Sequence, residues 1–169
     1  MTPFSLTARS EEDTRLVGRA LGRALRPGLV VLLEGELGAG KTTLVRGAGE
    51  ALGAGGRVRS PSFTLVNEYP VSSSTVLHAL IHADLYRLSP DEAEALGLDD
   101  YLLSGDAALI VEWPDRWRCP PGDVLWVELR VLDEGRRLLT FRPSGGDAEA
   151  AAAAVRSDLS DGEEGDTNE

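Results

Sequence analysis

The sequence has very little lysine and very little cysteine, and the second scarcity excludes a class of site. Lys41 is the only lysine, whereas the other 16 basic side chains are all arginine. Cys119 is the only cysteine, so the chain can form neither an internal disulfide framework nor a cysteine-based metal site. The lysine raises the question why a chain that otherwise uses arginine has a lysine at position 41.

Long apolar runs and an excess of positive charge are absent as well. No run of 18 or more apolar residues occurs, so no transmembrane helix is indicated. The first residues, MTPFSLTARSEED, have neither the basic nor the apolar part of a signal peptide, and we expect a cytoplasmic protein. The net charge of −11 gives no sign of the basic face that nucleic-acid-binding proteins usually carry.

Much of the negative charge lies at the C-terminal end. Residues 147–169 contain eight acidic residues and a single basic one, Arg156. From residue 144 onward there is little to bury, so we interpret 144–169 as an acidic, disordered tail. Residues 1–143 are long enough for one domain with its own hydrophobic core.

The order of apolar runs and helix signals predicts an α/β fold. LVVLLEG (29–35) and ALIVEW (108–113) are continuous apolar runs, typical of parallel strands buried on both faces. The segments 63–86 and 124–143 each contain two strand patterns around a turn, which predicts hairpins. The expected architecture is a three-layer α/β/α sandwich with a mainly parallel sheet and added antiparallel hairpin strands.

A glycine-rich stretch, GELGAGKTT (35–43), lies between a predicted strand and a predicted helix over 41–52. It fits the phosphate-loop (Walker A) pattern, in which backbone N–H groups and a helix N-terminus surround a phosphate. Lys41 is suited to this place, because a compact ammonium fits between β- and γ-phosphates where a planar guanidinium does not. Since the sole lysine is used here, the guanine-reading motif Asn-Lys-x-Asp is absent, which favours ATP.

Two acidic residues at predicted strand ends are candidates for the acid that holds Mg²⁺ or its waters beside a phosphate loop. Asp84 follows the apolar run HALIHA, and Glu112 ends ALIVE. Each has an alternative interpretation as an ordinary surface acid, and the choice of the main hydrolytic acid stays open. His82 shares a strand face with Asp84, but a lone histidine is more often structural.

Four motifs in this order resemble those of the TsaE family: GELGAGKTT, SPSFTLVNEY (60–69), HADLYRL (82–88) and VEWPDR (111–116). The resemblance covers about residues 5–143. It implies a small P-loop ATPase required for threonylcarbamoyladenosine formation at the tRNA adenosine beside the anticodon. It also implies action with a TsaB–TsaD heterodimer, through which tRNA is contacted indirectly. Because the chain offers no obvious complete catalytic set beyond phosphate positioning, we expect hydrolysis to be weak without these partners.

The resemblance assigns roles to individual residues, with ATP and Mg²⁺ as the bound groups. Lys41, Asp84 and Glu112 are the expected catalytic residues, and Thr42 and Glu112 are the expected Mg²⁺ ligands. The expected ATP-binding residues are Leu37, Gly38, Ala39, Gly40, Lys41, Thr42, Thr43 and Arg136.

The resemblance also implies a switch-like segment (Ser60–Thr64) near the γ-phosphate, with hydroxyls on Ser60, Ser62 and Thr64. The family motif SPT is here SPS, a change that keeps a hydroxyl at Ser62. Trp113 matches a family tryptophan whose simplest interpretation is packing. Arg87 is open between a γ-phosphate contact, a partner contact and a structural ion pair.

Two other functions fit parts of the same sequence. A small-molecule kinase of this size would need clustered arginines over the phosphates, and only Arg116 and Arg118 lie in a suitable loop. A nucleotide-switched binding module would bind partners without meaningful turnover. An ATPase serving tRNA modification remains the first hypothesis, because it accounts for all four motifs.

Overall fold

A seven-stranded mixed sheet forms the centre of the computed structural model, which describes residues 1–163. Its strand order is β1-β7-β6-β2-β5-β4-β3. Within the described part of the chain, no helix has the length and apolar character needed to cross a membrane. The strands and helices are β1 (Phe4–Ala8), α1 (Glu11–Ala24), β2 (Val30–Glu34), α2 (Lys41–Ala51), β3 (Val66–Pro70), β4 (Ala79–Asp84), α3 (Pro90–Ala95), β5 (Ala107–Glu112), β6 (Val124–Val131), β7 (Arg137–Ser144) and α4 (Gly146–Glu163).

The central strands β6, β2, β5 and β4 run parallel, so their carboxyl ends meet at one edge of the sheet. At that edge Asp84 on β4 is in register with Glu112 on β5, and Glu112 is in register with Leu33 on β2. The pairs β3–β4 and β6–β7 are antiparallel, as the two predicted hairpins require. The predicted α/β/α sandwich with added hairpin strands is therefore confirmed.

Strand β2 is buried on both faces, as its continuous apolar run predicts. Val31 and Leu33 face the core beneath α1, α2 and α4, whereas Val30 and Leu32 face a second core beneath α3. Full burial of one such side chain contributes roughly 1.5–3 kcal/mol. The strand that precedes the glycine-rich stretch is thus held from both sides, which fixes where that stretch begins.

Helices α1 and α2 touch each other through glycines. A Cβ atom on Gly18 would lie 2.2 Å from Leu44 O, and one on Gly47 would lie 2.2 Å from Arg15 O. Any side chain at either position would therefore push the two helices apart. The contact fixes the position of α2, whose first residue is Lys41.

The C-terminal segment forms a packed helix, so the prediction of a disordered tail is wrong for residues 144–163. Strand β7 continues to Ser144, and α4 follows, with the N–H groups of Asp147 and Ala148 donating to the Asp123 carboxylate. Alanine is the strongest helix former, and its small apolar side chains here share one helical face against the core. Residues 164–169 of the predicted tail lie outside the described residues. The buried residues of this face are Ala148, Ala151, Ala152 and Val155.

Candidate functional site

The phosphate loop (residues 35–42) joins the end of β2 to the start of α2. Gly40 caps α2 in the left-handed region at φ +103°, a conformation that favours glycine. No side chain caps the N-terminus of α2, so its first N–H groups point into the loop without side-chain partners. This arrangement suits an anion, because backbone donors and the helix dipole act in the same direction.

A cavity of about 260 Å³ lies over the phosphate loop and collects most of the predicted site residues. Ser60, Ser62, Asp84, Glu112 and Trp113 enter it from three other parts of the chain. The cavity therefore joins all four motifs, which are far apart in the sequence. The loop and helix residues that line it are Leu37, Gly38, Ala39, Gly40, Lys41, Thr42 and Thr43.

Lys41 is buried at the floor of this cavity, with only 5% of its surface exposed. Its Nζ donates to the carbonyl oxygens of Gly35 and Glu36, the second at 3.0 Å, and lies 4.5 Å from the centroid of the Trp113 ring. Burial lowers the pKa of Lys41, and the nearby carboxylates oppose this only in part. The ammonium is therefore poorly solvated and suited to gain from contact with phosphate oxygens.

Glu112 and Asp84 are buried, at 3% and 7% exposure, which rules out the alternative that they are ordinary surface acids. Glu112 Oε1 lies 3.0 Å from His82 Nε2 and 3.4 Å from the hydroxyl of Thr42. Asp84 Oδ1 accepts from Tyr86 N–H at 3.0 Å. Burial raises the pKa of Asp84 and the charge of Glu112 adds to this, while the Tyr86 hydrogen bond opposes it. The two acids thus have different partners.

The pair formed by Thr42 and Glu112 has the separation that a shared Mg²⁺ requires. Two oxygens bonded to one Mg²⁺ at about 2.1 Å each lie no more than about 4.2 Å apart. The two oxygens here are 3.4 Å apart. Mg²⁺ usually takes only one or two protein oxygens and completes its shell with phosphate oxygens and water. The side chains present therefore fit this ion.

A second cavity, of about 460 Å³, adjoins the first and shares Gly38, Gly40 and Thr43 with it. The start of α1 forms one wall, and the β6–β7 turn forms another. Arg136, the predicted ATP-binding arginine, does not line this cavity, because its guanidinium pairs with Asp133 at 2.6 Å. The other lining residues are Arg9, Ser10, Glu11, Thr14, Glu134, Gly135 and Arg137.

Arg137 is the arginine that reaches the phosphate loop, and sequence reasoning missed it. Its guanidinium donates to Ala39 O at 3.0 Å and to Gly38 O at 3.4 Å. It also donates to Asp133 O at 2.9 Å and so ties the β6–β7 turn to the loop. These hydrogen bonds engage the carbonyls of Gly38 and Ala39 on the side of the β6–β7 turn. The sequence gives no reason to prefer Arg137 over Arg136. The difference between them is structural, because Arg137 is the first residue of β7.

The switch-like segment places two of its three predicted hydroxyls at the first cavity. Ser60 Oγ and Ser62 Oγ lie 2.7 Å apart, and both residues line the cavity. Thr64 instead donates to Asn67 Oδ1 at 2.6 Å and does not line it. The hydroxyl of Thr64 is therefore used to hold the segment against β3.

Two residues beside the cavity have a strained backbone. Leu65 has φ +68° and Trp113 has φ +58°, and they are the non-glycine residues with positive φ in residues 1–163. Such conformations cost of order 1–3 kcal/mol each and cluster at functional sites. Two backbone hydrogen bonds hold Leu65, because its N–H donates to Pro61 O at 2.7 Å and its carbonyl accepts from Asp84 N–H at 2.9 Å.

The other arginines singled out by the sequence lie away from both cavities. Arg87 extends over the ring of Phe63, 4.7 Å from its centroid, and Phe63 itself is 85% exposed. Arg116 and Arg118 each pair with carboxylates near them. The residues that line the first cavity, over the phosphate loop, include no arginine, so the clustered arginines that a kinase would need there are not found.

Comparisons with known proteins agree with this arrangement. The family model described as "Threonylcarbamoyl adenosine biosynthesis protein TsaE" matches residues 8–138. The crystal structure of Bacillus subtilis YdiB matches the fold with a TM-score of 0.72 at 28% identity, covering 92% of this chain and 95% of that one.

Curated relatives carry the same family name. The tRNA threonylcarbamoyladenosine biosynthesis protein TsaE of Nostoc sp. is 41% identical over 138 residues, covering 79% of this chain and 82% of the relative. TsaE of Bacillus subtilis is 38% identical over 135 residues, with the same two shares, 79% and 82%. TsaE of Aquifex aeolicus is 41% identical over 130 residues, covering 76% and 87%. The chain therefore belongs to the TsaE family of threonylcarbamoyl adenosine biosynthesis proteins.

Proposed function

We propose that this protein is a Mg²⁺-dependent ATPase that supports threonylcarbamoyladenosine formation in tRNA together with a TsaB–TsaD heterodimer. The family membership and the names of its relatives support the pathway. The observation that most directly supports ATP hydrolysis is the position of Lys41. Its buried ammonium lies at a phosphate loop, in a cavity that also holds Asp84 and Glu112.

The two adjoining cavities suit the two parts of ATP. The phosphates fit the first cavity, where the N–H groups of the phosphate loop and the α2 N-terminus supply donors. The adenosine fits the larger second cavity, which begins at the shared residues Gly38, Gly40 and Thr43. The bound nucleotide therefore spans the phosphate loop from the β6–β7 turn to the switch-like segment.

Four side chains share three tasks in this proposal. Lys41 exchanges its carbonyl partners for oxygens of the β- and γ-phosphates. Thr42 and Glu112 hold Mg²⁺, which neutralises charge on the phosphates when it is bound. Asp84 orients the attacking water, since Glu112 is already engaged by Thr42 and His82. The raised pKa of Asp84 suits a group that accepts the proton of this water.

Hydrolysis is expected to be slow in the isolated protein. Lys41 is the only cationic side chain among the residues that line the first cavity. An additional cation over the γ-phosphate accelerates many phosphoryl transfers by about 10³-fold or more. A partner that supplies such a group, or that moves the switch-like segment towards the phosphates, would complete the site.

The proposal is tested by measuring phosphate release from ATP with and without TsaB–TsaD. We expect slow release alone, stimulation by the heterodimer, and loss of both in Lys41→Ala. A pull-down with TsaB–TsaD in ATP, ADP and no nucleotide shows which state favours the complex. Full enzymatic turnover that TsaB–TsaD leaves unchanged would refute the coupling, and transfer of labelled phosphate to a metabolite would indicate a kinase.

The need for turnover is tested in cells with Asp84→Ala and Glu112→Ala. We expect both variants to lose threonylcarbamoyladenosine, measured by mass spectrometry of digested tRNA. Should both retain the modification and partner binding, the protein acts as a nucleotide-switched binding module instead.

A further inference from the structure

His82 is a fully buried polar residue in the middle of β4, with 0% of its surface exposed. It is in register with Ile110 on β5 and with Asn67 on β3, inside the sheet that carries the site. A histidine in such a place is often structural, and its ring could serve only to fill the core. Its hydrogen bonding points to a more specific role.

The His82 ring is directed at the acid expected to bind the metal. Nε2 lies 3.0 Å from Oε1 of Glu112, the same oxygen that lies 3.4 Å from the Thr42 hydroxyl. The other ring nitrogen, Nδ1, is buried and has no hydrogen-bond partner among the described residues. Glu112 is therefore the partner that accounts for a polar ring at this position.

The two ring nitrogens also determine the hydrogen-bond direction. A proton on Nδ1 would be a buried donor without an acceptor, which is costly, whereas an unprotonated Nδ1 only leaves a lone pair unused. The neutral ring with its proton on Nε2 fits both observations. With this tautomer the Nε2–H group donates to Oε1 of Glu112, the oxygen that lies beside the Thr42 hydroxyl.

We propose that His82 is a positioning residue that holds the Glu112 carboxylate against Thr42 and so orients the two Mg²⁺ ligands. The inference rests on the proposed Mg²⁺–ATP site. Removing an outer-shell hydrogen bond to a metal ligand typically weakens metal binding by about 10- to 100-fold. The hydrogen bond of the His82 ring is to Glu112 and not to a residue of the phosphate loop. Nucleotide binding without metal should therefore not depend on His82.

The test compares His82→Leu with His82→Gln, because leucine removes the donor and glutamine places an N–H near the position of Nε2. Mn²⁺ binding to the ADP complex is measured by electron paramagnetic resonance, and ADP binding without metal is measured by calorimetry. We expect His82→Leu to weaken Mn²⁺ binding by about tenfold and His82→Gln to restore most of it. The control is His78→Leu, because His78 is the chain's other histidine and its side chain is exposed.

Two results would overturn the inference. Unchanged Mn²⁺ binding in His82→Leu would mean that the ring only fills the core. An equal loss of metal-free ADP binding would mean that the substitution disturbs the fold. If His82→Leu does not fold, His82→Asn keeps a polar side chain that is too short to reach Glu112, and it should show the same metal defect. Absence of ADP and Mn²⁺ binding in the unaltered protein would instead refute the proposed function.

Discussion

The phosphate loop and the switch-like segment face each other across one cavity, but they are held in opposite ways. Buried and charged side chains hold the loop, because Lys41 is buried and Arg137 donates to carbonyl oxygens of the loop. The segment is held from the side, where Tyr69 Oη accepts from Arg59 N–H at 3.0 Å and donates to Arg59 O at 3.1 Å. Phe63 at the middle of the segment is 85% exposed.

This difference separates binding from response. A loop fixed by buried charge and backbone contacts presents the same donors to every phosphate. The segment is held by a few hydrogen bonds, some from side chains and some from the backbone of the strained Leu65, and it contains the exposed Phe63. It therefore opens at a lower free-energy cost. We infer that the loop determines whether nucleotide binds, and that the segment is the part able to rearrange towards a γ-phosphate or a partner.

The largest effect on the difference between loop and segment is expected when the charge of Lys41 is removed. Lys41→Ala is expected to weaken ADP binding by about 100-fold, because two or more charge-assisted hydrogen bonds to phosphate are lost. Lys41→Arg is the matched variant, and we expect it to bind ADP weakly as well, because the planar guanidinium of arginine does not fit the loop. Calorimetry measures both, and wild-type affinity in Lys41→Arg would contradict this account of the lone lysine.

The next largest effect concerns the outer support of the loop. Arg137→Ala is expected to weaken ADP binding by about tenfold, because the carbonyls of Ala39 and Gly38 lose their charged donor. Arg136→Ala is the matched control, since that guanidinium pairs with Asp133 on the surface. Isothermal titration measures the affinity of both variants for ADP. An equal loss of affinity in the two would show that neither arginine acts on the loop specifically.

A smaller change should act on the segment and spare the loop. Tyr69→Phe removes the hydroxyl that binds Arg59, a loss of about 1 kcal/mol that corresponds to a roughly fivefold larger population of the open state. Hydrogen exchange is expected to accelerate in residues 58–66 and to stay unchanged in 35–42. Tyr101→Phe, on the opposite core, is the control. Faster exchange in both regions would mean that they open as one unit.

The smallest expected effect concerns Asp84, which connects the two regions through its side chain and its N–H. Its pKa is raised chiefly by burial, so its contribution to stability is full below the unfolded pKa of about 3.9 and is lost as pH rises through the folded value. At pH 7, Asp84→Asn should raise the free energy of unfolding, by about 1 kcal/mol or less.

Urea unfolding of Asp84→Asn and the unaltered protein between pH 3.5 and 8 measures this difference, which should grow with pH and then level off. Asp106→Asn is the control of opposite sign, because the Ser104 hydroxyl and then His78 lower the pKa of Asp106. A less stable Asp84→Asn variant at pH 7 would contradict the assignment of a buried, disfavoured charge.

Patterns along the chain predict strand β2, the glycine-rich loop and the helix after it, but they do not predict contacts between side chains on distant strands. The run LVVLLEG before a glycine-rich stretch predicts a strand and loop because burial on both faces leaves a plain signature. The pairing of His82 with Glu112 required the register of β4 against β5. Arg136 and Arg137 are chemically identical in the sequence, and only the start of β7 directs one of them to the loop.

The C-terminal helix shows a different limit. Charge dominated the interpretation of residues 144–169, because eight acidic residues in 147–169 suggested a solvated tail. The spacing of Ala148, Ala151, Ala152 and Val155 is the pattern of one helical face, and it was available before the structure. Alanine is so weakly apolar that the pattern becomes convincing only when a surface is present to receive it.

The glycine contact between α1 and α2 also has a consequence for the shape of the second cavity. Ser10, Glu11 and Thr14 form the wall of the second cavity on the α1 side, and Thr43 forms the wall on the α2 side. Gly18 and Gly47 set how closely these walls approach, since neither helix can retreat or advance without changing that contact. The width of the second cavity is thus specified by two glycines that are not among its lining residues.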